Sequence, residues 1–525
     1  MYSKFIFLLC NFFLNNRIIL KFKCSKFKTL NYNYDFLNVT FENFEDLKKI
    51  LLSKKYFSKF FYDQKSYNYH TFAWLYVAKK IGGPKIISLT KQHIINWNKK
   101  KYNIYSYVWN SELIAKRLIN LIFNYDFYAV SATHDEKEIF RFTILKHYFI
   151  LKLQMNFIKN KNEQPIEITK ALLLFHLINN LQTYKIFQQI NSQLNTHINS
   201  YGLHKSINPC THAEYINELY EIKNMCLFFN VGVPKKIEYQ ITNMSSVLKN
   251  LFHKDKTIAL FNGSNNANYE SIIKVNNLQK DIKPKNLSLV KDGLAIFELN
   301  KFKVFFDVTK PTSKLLSLNL HTGTFSFEIS YDKEKIITNC GSIEKRVGKK
   351  PEFLRFSAAH STIVLNNTNI SELVEKKAYK RIPKMLSFHI DENEENITWE
   401  GSHDGYKDNF KNIVKRKLII TKKNLKITGQ DSIISTKKHL TKTLYNIRFH
   451  LTPICQCVLT NSQKSVFIKT ELNHSWIFES ENKLTLENSI YISDGVSINK
   501  TKQIVISGYS SPIKKTINWS ISKIE

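Results

Sequence analysis

The spacing of hydrophobic residues changes character along this chain. In its first half, apolar residues recur at steps of three and four, the period of an α-helix with one buried face. Within residues 111–123 the recurring positions are Leu113, Ile114, Leu118, Leu121 and Ile122, and Ser111 can cap the helix. Comparable stripes run through residues 142–157, 166–177, 183–198 and 213–228. The pattern predicts successive helices with short connections, which pack antiparallel as a bundle or a ring of hairpins.

From about residue 288 the apolar period becomes two, as expected of strands with one buried face. The runs that carry this period are residues 294–299, 302–307, 417–421, 425–428 and 465–469. Glycine usage changes too, since only Gly82 and Gly83 precede residue 200. Many short strands separated by turn residues predict an antiparallel sandwich. The polar stretch 262–268 is predicted to be an exposed loop near the domain boundary, with residues 280–284 as a second candidate.

The composition is that of a large globular protein with a strong excess of positive charge. The 525 residues include 77 Lys plus Arg against 43 Asp plus Glu, a formal net charge of +34. Such a charge favours polyanionic partners, namely acidic polysaccharide, nucleic acid or an anionic lipid surface. A compositional bias of the source genome explains the same excess equally well. Specific nucleic-acid binding ranks low, because neither zinc-finger spacing nor an aromatic-basic motif is present.

The amino terminus pairs Lys4 with an apolar run from Phe5 to Leu14, the size of a signal-peptide core, although no small-residue cleavage site follows. No segment reaches the length of a membrane-spanning helix, so we expect no such span. The seven cysteines are too few and too irregularly placed for a disulfide scaffold. Cys455 and Cys457 alternate on one strand face and are either two buried thiols, the favoured interpretation, or a metal pair.

Two histidine segments in the strand-rich half stand out: residues 319–328, which contain His321, and residues 354–364, which contain His360. Both place an imidazole next to small residues and an alternating apolar run. This arrangement is expected of side chains held at a sheet surface for ligand or metal binding. An isolated His of this kind is otherwise a hydrogen-bonded structural residue.

The order of motifs resembles that of the heparinase II/III-like family. The matching segments of the strand-rich half are residues 320–328, 338–341, 358–364, 402–406 and 447–453. The helical half matches through residues 72–75, through Trp109 with Arg117, and through residues 202–209. The resemblance implies an α+β multidomain fold: an incomplete α/α toroid at residues 31–270, preceded by a leader at residues 1–30, and a carboxy-terminal antiparallel β-sandwich at residues 280–525.

Characterised members of that family are polysaccharide lyases, which cleave beside a uronic acid by β-elimination. The reaction needs a donor for the uronate carboxylate, a base and an acid. The resemblance implies His204, Asn208 and His321 as catalytic residues, with Tyr269 as the candidate tyrosine. Tyr215 and Tyr220 remain alternatives to Tyr269.

Four further positions are implied as substrate-binding residues: Trp109, Arg117, Arg416 and Arg448. The two later arginines either face the anionic sugar or pair with Asp431 or Asp404 inside the sandwich. Trp109 is either a core aromatic or a platform for a sugar ring. His403 and Asp404, next to Gly405, resemble a turn whose side chains satisfy backbone groups.

The family also implies a structural zinc, and the corresponding positions are His321, Asn339 and His360. Neutral Asn is a poor zinc ligand, and Cys340 can replace it only if the register slips by one residue. Tyr201 and Ile207 also depart from the family's residues beside His204. The expected function is therefore a lyase acting on an acidic polysaccharide of the cell envelope or periplasm. The alternatives are a binding protein that has lost catalysis and, for location, the cytoplasm. The oligomeric state is not predicted.

Overall fold

The computed structural model describes residues 67–100, 102, 106–309, 320–343, 352–374, 377–437 and 442–524. The predicted leader at residues 1–30 lies outside the described residues, as do residues 31–66 of the predicted helical domain.

Helices dominate the described residues up to Asn277. They are α1 (Tyr67–Thr71), α2 (Trp74–Ile81), α3 (Pro84–Lys99), α4 (Ser111–Phe123), α5 (Tyr125–Ala129), α6 (His134–Phe157), α7 (Ile166–Ile178), α8 (Tyr184–His197), α9 (Pro209–Phe228), α10 (Lys235–Leu248) and α11 (Tyr269–Asn277). The predicted helix at residues 111–123 has the observed bounds of α4, but its cap is wrong. Asn110, not Ser111, is the capping residue, and its side chain accepts a hydrogen bond from Glu112 N at 3.0 Å. Asn110 has the extended backbone that a cap requires, whereas Ser111 is already helical.

The chain divides into two compact units. One comprises the described residues up to Thr196 together with Asn217–Tyr239, and the other comprises His197–Ile216 with Gln240–Glu525. The unit boundaries therefore fall within α8, α9 and α10. The predicted division at residues 270–280 overlaps α11, which ends at Asn277, and β1 begins at Leu294.

Strands make up most of the second unit. They are β1 (Leu294–Leu299), β2 (Phe302–Asp307), β3 (Phe327–Tyr331), β4 (Glu334–Thr338), β5 (Ile363–Leu365), β6 (Glu372–Val374), β7 (Lys377–Arg381), β8 (Met385–Glu392), β9 (Asn396–Tyr406), β10 (Asn412–Thr421), β11 (Lys426–Ser435), β12 (Leu444–Leu451), β13 (Gln456–Leu459), β14 (Ser465–Lys469), β15 (Ser475–Ser480), β16 (Leu484–Tyr491), β17 (Asn499–Tyr509) and β18 (Lys514–Ile524). A short helix, α12 (Lys407–Phe410), separates β9 from β10.

Within the described residues the strands form two large antiparallel sheets and one hairpin. The first sheet has the order β1-β2-β3-β4-β12-β17-β16, with β5 also paired to β12. The second has the order β13-β14-β15-β18-β11-β10-β9-β8, and β6 pairs with β7. Since many neighbours in the sheets are distant in sequence, the segments that carry functional side chains are brought together by long connections.

Aromatic side chains fill the space between the two sheets. Phe306 of β2 stacks on Trp399 of β9, with ring centroids 5.8 Å apart, and Phe327 of β3 stacks on Trp519 of β18 at 5.5 Å. The period of two is visible in β10, where every second residue from Asn412 is buried. These contacts form the sandwich core, because each sheet turns its apolar face to the other.

Asp307, at the end of β2, is a buried carboxyl group whose ionisation opposes folding. Burial raises the pKa of this carboxyl group to about 7, although the hydrogen bonds from Thr309 act to lower it. Because the folded pKa lies above that of the unfolded chain, the folded protein binds the proton more tightly. This contribution to stability is complete below the unfolded pKa and is lost as the pH rises to about 7.

The variant Asp307→Asn removes this ionisation and keeps an oxygen that can accept from Thr309. We expect the free energy of unfolding of the variant, relative to that of the wild type, to be larger at high pH than at low pH. Urea denaturation of both proteins at about pH 5 and about pH 8 measures the difference. An identical difference at the two pH values would show that Asp307 is already ionised in the fold.

Candidate functional site

Asn208 is fixed at the amino terminus of α9. Its Oδ1 accepts hydrogen bonds from the backbone amides of Cys210 at 2.8 Å and Thr211 at 3.0 Å, which makes it the helix cap. Pro209 occupies the first helical position, where a missing N–H costs nothing. The Asn208 amide Nδ2 donates to the carbonyl of Asn262 at 3.0 Å. Both ends of the side chain are therefore held.

His204 shapes the turn that leads into Asn208. Its Nδ1 accepts from the backbone amide of Ser206 at 3.2 Å and lies 2.8 Å from Ser206 Oγ. The Ser206 hydroxyl oxygen in turn accepts a hydrogen bond from the backbone amide of Asn208 at 3.3 Å. Burial, followed by the neighbouring His197 and His212, holds the pKa of His204 well below its usual range, so the ring is neutral. His204 thus stabilises the turn that ends at Asn208, through its hydrogen bond with Ser206.

Asn262 ties this turn to the strand-rich part of the same unit. Its Nδ2 donates to the carbonyl of Ile207 at 3.3 Å, and its Oδ1 accepts from the backbone amide of His321 at 3.0 Å. The prediction that residues 262–268 form an exposed loop is wrong, because Asn262, Ser264 and Asn265 are buried. Their polar groups pair with backbone groups of neighbouring segments, which removes the cost of burying them.

Three polar side chains converge on Gly263. A Cβ added to this glycine would lie 3.1 Å from His321 Nε2, 3.7 Å from Ser342 Oγ and 3.8 Å from Asn208 Nδ2. Gly263 has φ +86°, a conformation that other residues adopt only with strain. We call Asn208, Gly263, His321 and Ser342 the Gly263 cluster. It brings together two of the predicted catalytic residues, His321 and Asn208, on segments far apart in sequence.

A hydrogen-bonded pair of histidines sets the proton positions of this cluster. His360 Nδ1 lies 2.8 Å from the carbonyl of Phe356 and must donate to it, because a carbonyl only accepts. In the neutral ring His360 Nε2 is then the acceptor, and it lies 3.2 Å from His321 Nδ1. Burial lowers the pKa of His360 to about 4, which favours this neutral form. His321 Nδ1 therefore carries the proton of this hydrogen bond, and the other ring nitrogen of His321, Nε2, is the atom beside Gly263.

Asn339 is locked into a buried network around Glu328 of β3. Its Oδ1 accepts from the backbone amide of Ser361 at 3.1 Å, and its Nδ2 donates to Glu328 Oε1 at 3.4 Å. Glu328 also accepts from His253 Nε2 at 2.8 Å and from the amide of Leu260 at 3.1 Å. Burial acts to raise the pKa of Glu328, but the hydrogen bond and charge of His253, followed by the charge of Lys335 and the backbone amide of Asn339, lower it below its usual value. Glu328 is therefore an anion.

The donor atoms at the predicted zinc positions do not fit a zinc site. Zinc in proteins takes imidazole, thiolate or carboxylate ligands, usually three or four of them. Here two imidazoles share one hydrogen bond, and the third position offers an amide oxygen that already accepts from Ser361. Cys340 does not replace it, because its sulfur lies 3.6 Å from His450 Nδ1 and belongs to a different group. Within the part of the chain that the structure describes, no three His, Cys, Asp or Glu side chains are arranged to hold a metal.

Two of the predicted substrate-binding residues lie in the core of the first unit. Arg117 is fully buried and donates to His147 Nε2 at 2.6 Å and to the carbonyls of His70 and Val108. Trp109 is buried and packs on the ring of Trp97. A substrate-binding role for Arg117 is not supported, since its guanidinium is enclosed by protein acceptors. Trp109 adopts the alternative role of a core aromatic.

Arg416 is also buried, in the interior of the sandwich. It forms two hydrogen bonds with Asp431, at 2.7 and 2.9 Å, and both side chains are fully buried. Of the two predicted alternatives, pairing inside the sandwich is therefore the correct one. Arg448 is partly exposed and lies 3.3 Å from Glu487.

The remaining predicted residues lie outside the Gly263 cluster. Tyr269 is half-buried at the start of α11, directly after the loop that carries Gly263. His403 and Asp404 lie in β9 and not in a turn, but their side chains do accept backbone hydrogen bonds, from Gly405 and Lys384. Cys455 and Cys457 are free thiols whose pKa values burial raises to about 11 and about 12.

Sequence reasoning missed Asn262, Gly263, Ser342 and the pair Glu328 and His253. A signal for the loop was available, since an apolar run at residues 258–261 directly precedes the Asn-Gly pair. Such a run is typical of a buried segment, and it argues that the polar residues after it are held against the core.

Comparison with known proteins supports the predicted family. A model of the heparinase II/III-like C-terminal domain matches residues 283–520. Among solved structures, a heparinase III matches with a TM-score of 0.73 at 14% identity, covering 96% of this chain and 88% of that chain. The heparan sulfate lyase HepC from Pedobacter heparinus matches with a TM-score of 0.63 at 12% identity, covering 98% and 88%. No curated protein matches the sequence significantly.

These matches confirm the predicted fold class, an incomplete α/α toroid followed by an antiparallel β-sandwich. Among the helices of the described ranges, none is both long and apolar enough to cross a membrane. The motifs of the strand-rich half and the match over residues 283–520 agree, so this part of the chain is similar to the C-terminal domain of heparinase II/III-like proteins.

Proposed function

We propose that this protein is a polysaccharide lyase that cleaves an acidic, uronic-acid-containing glycan by β-elimination. The observation that carries the proposal is the Gly263 cluster, in which the Asn208 amide Nδ2 and the His321 ring nitrogen Nε2 both lie within 4 Å of the position that a Cβ on Gly263 would take. A lyase needs this combination, because the proton beside a uronate carboxyl group is acidic only when the carboxylate charge is stabilised.

In the proposed reaction, Asn208 Nδ2 donates a hydrogen bond to the uronate carboxylate. His321 Nε2 removes the proton from the adjacent ring carbon, and the electron pair of that C–H bond forms a carbon-carbon double bond. The bond to the glycosidic oxygen breaks at the same time, and this oxygen receives a proton. We assign the donation of this proton to the phenol of Tyr269, because Tyr269 directly follows the loop that carries Gly263. We assign to His204 the support of the turn that holds Asn208.

The net charge of +34 supports an anionic substrate, because a positive field attracts a polyanion and speeds its encounter with the protein. The solved structures that this chain resembles include a heparan sulfate lyase and a heparinase III. A sulfated glycosaminoglycan or a related acidic polysaccharide is therefore the proposed substrate class. The proposed location is the cell envelope or periplasm, where such a polymer can be met outside the cytoplasm.

The test is ultraviolet absorbance of newly formed unsaturated uronate. Purified protein is incubated with heparan sulfate, chondroitin sulfate, hyaluronan, alginate and bacterial acidic glycans. The matched variant is Asn208→Asp, which keeps the oxygen acceptors for Cys210 and Thr211 but removes the amide donor and adds a charge of the same sign as the uronate. We expect wild-type protein to raise the absorbance on at least one glycan, and the variant to be slower by about 10²- to 10³-fold.

A wild-type protein that binds a glycan but yields no absorbance would contradict the lyase. It would favour the second candidate, a binding protein without catalysis, for which Asn339, Tyr201 and Ile207 are the departures from the family pattern. Equal rates for wild type and Asn208→Asp would remove Asn208 from the mechanism.

A further inference from the structure

The three positions that correspond to the family's zinc ligands are linked in this chain: His321 and His360 share a hydrogen bond, and Asn339 accepts a hydrogen bond from the backbone amide of Ser361, the residue after His360. We infer that His321, Asn339 and His360 hold this part of the sandwich together without a metal, and that a single carboxylate at position 339 would turn the group into a zinc site.

The first step concerns the two imidazoles. His360 Nε2 and His321 Nδ1 lie 3.2 Å apart, close enough for one N–H to be shared directly between the rings. A zinc ion held between these two nitrogens would need a lone pair from each, whereas the hydrogen bond leaves a lone pair on one and a proton on the other. The direct bond and a shared metal therefore exclude each other. The carbonyl of Phe356 keeps His360 in the tautomer that suits the hydrogen bond.

The second step explains why position 339 is an amide. Asn339 Nδ2 faces Glu328 Oε1 at 3.4 Å, and the Asn339 backbone amide donates to the same oxygen at 3.1 Å. Glu328 is fully buried, so a carboxylate at position 339 would bring two negative charges together in a medium of low dielectric. An amide instead contributes one more donor to Glu328. Asn339 thus completes the network of Glu328.

The third step connects the group into one unit. Asn339 Oδ1 accepts from the amide of Ser361, the residue after His360, so the amide side chain joins Glu328 to the histidine segment. Ser361 Oγ donates to the carbonyl of Thr338 at 2.7 Å, which adds a second link between the same two segments. These hydrogen bonds hold the segment of Thr338 and Asn339 against that of Ser361, as a structural metal would.

The experiment measures zinc content and thermal unfolding of the full-length protein. Wild-type protein is purified, dialysed and analysed for zinc by mass spectrometry, and its unfolding temperature is recorded with EDTA, with buffer alone and with zinc chloride. We expect far less than one zinc per chain and no change of unfolding temperature with either addition. One zinc retained per chain, together with a lower unfolding temperature in EDTA, would overturn the inference.

The variant Asn339→Asp tests the second half of the inference. With His321 and His360 it supplies two imidazoles and a carboxylate, and the metal would offset the repulsion from Glu328. We expect the variant to unfold at a lower temperature than wild type in EDTA and to recover when zinc is added, with one zinc bound per chain.

Two further variants keep this test decisive. Glu328→Gln combined with Asn339→Asp removes the repulsion and serves if the single variant does not fold. Asn488→Asp adds a carboxylate on the exposed part of β16 and controls for adventitious zinc. Zinc binding by neither the single nor the double variant, or equal binding by Asn488→Asp, would show that position 339 does not share a metal geometry with the histidine pair.

Discussion

Replacing Arg416 with alanine is expected to lower the free energy of unfolding by about 3 to 5 kcal/mol. Arg416 and Asp431 are fully buried, so the variant leaves the carboxylate of Asp431 without its cation. The same guanidinium donates to the carbonyls of Phe325 and Ser361, at 2.9 Å each. Ser361 follows His360, so this arginine also joins one sheet to the histidine segment. Urea denaturation of the purified variant measures the loss.

Arg448→Ala is the matched control. Arg448 pairs with Glu487 at 3.3 Å, but the glutamate side chain is 46% exposed, so water screens the pair. A pair of this kind is worth about 0 to 1 kcal/mol. Similar losses in the two variants would show that burial of the Arg416 pair is not what makes it important.

His321→Ala is expected to lower the rate of unsaturated product formation by about 10²- to 10⁴-fold, the usual contribution of a general base. The hydrogen bond between His360 and the carbonyl of Phe356 does not involve His321, so His360 stays held in the variant. The rate is measured by ultraviolet absorbance at saturating glycan, and the fold is checked by thermal unfolding.

The control for this prediction is His389→Ala, which removes an exposed imidazole from β8 and should leave the rate unchanged. If His321→Ala retained the wild-type rate while remaining folded, the base would have to be a different residue.

The sequence predicted regular elements well wherever one face is uniformly apolar. The stripe at residues 111–123 matches α4, whose apolar residues Leu113, Ile114, Leu118 and Leu121 are buried. It predicted elements poorly wherever polar residues face the core. The strand predicted at residues 417–421 in fact begins at Asn412, because Asn412 and Arg416 occupy inward positions of β10 and interrupt the apolar alternation.

The candidate site shows the same division. Motifs identified His321, His360 and Asn208, but not the groups that orient them. The carbonyl of Phe356 sets the tautomer of the histidine pair, and the carbonyl of Asn262 holds the Asn208 amide. Every residue has a backbone carbonyl, so a residue pattern does not show which of these carbonyls will bind a side chain. Glu328 was missed for another reason, since an acidic residue in a strand is usually exposed, and only the fold reveals the donors that surround it.

Mass analysis of the products tests the central claim most directly. Elimination breaks the glycosidic bond without adding water, so the masses of the two products should sum to that of the substrate. The proposed lyase predicts this result, with the double bond in one product only. Products whose masses together exceed that of the substrate by one water, with no double bond, would show hydrolysis and would contradict the account.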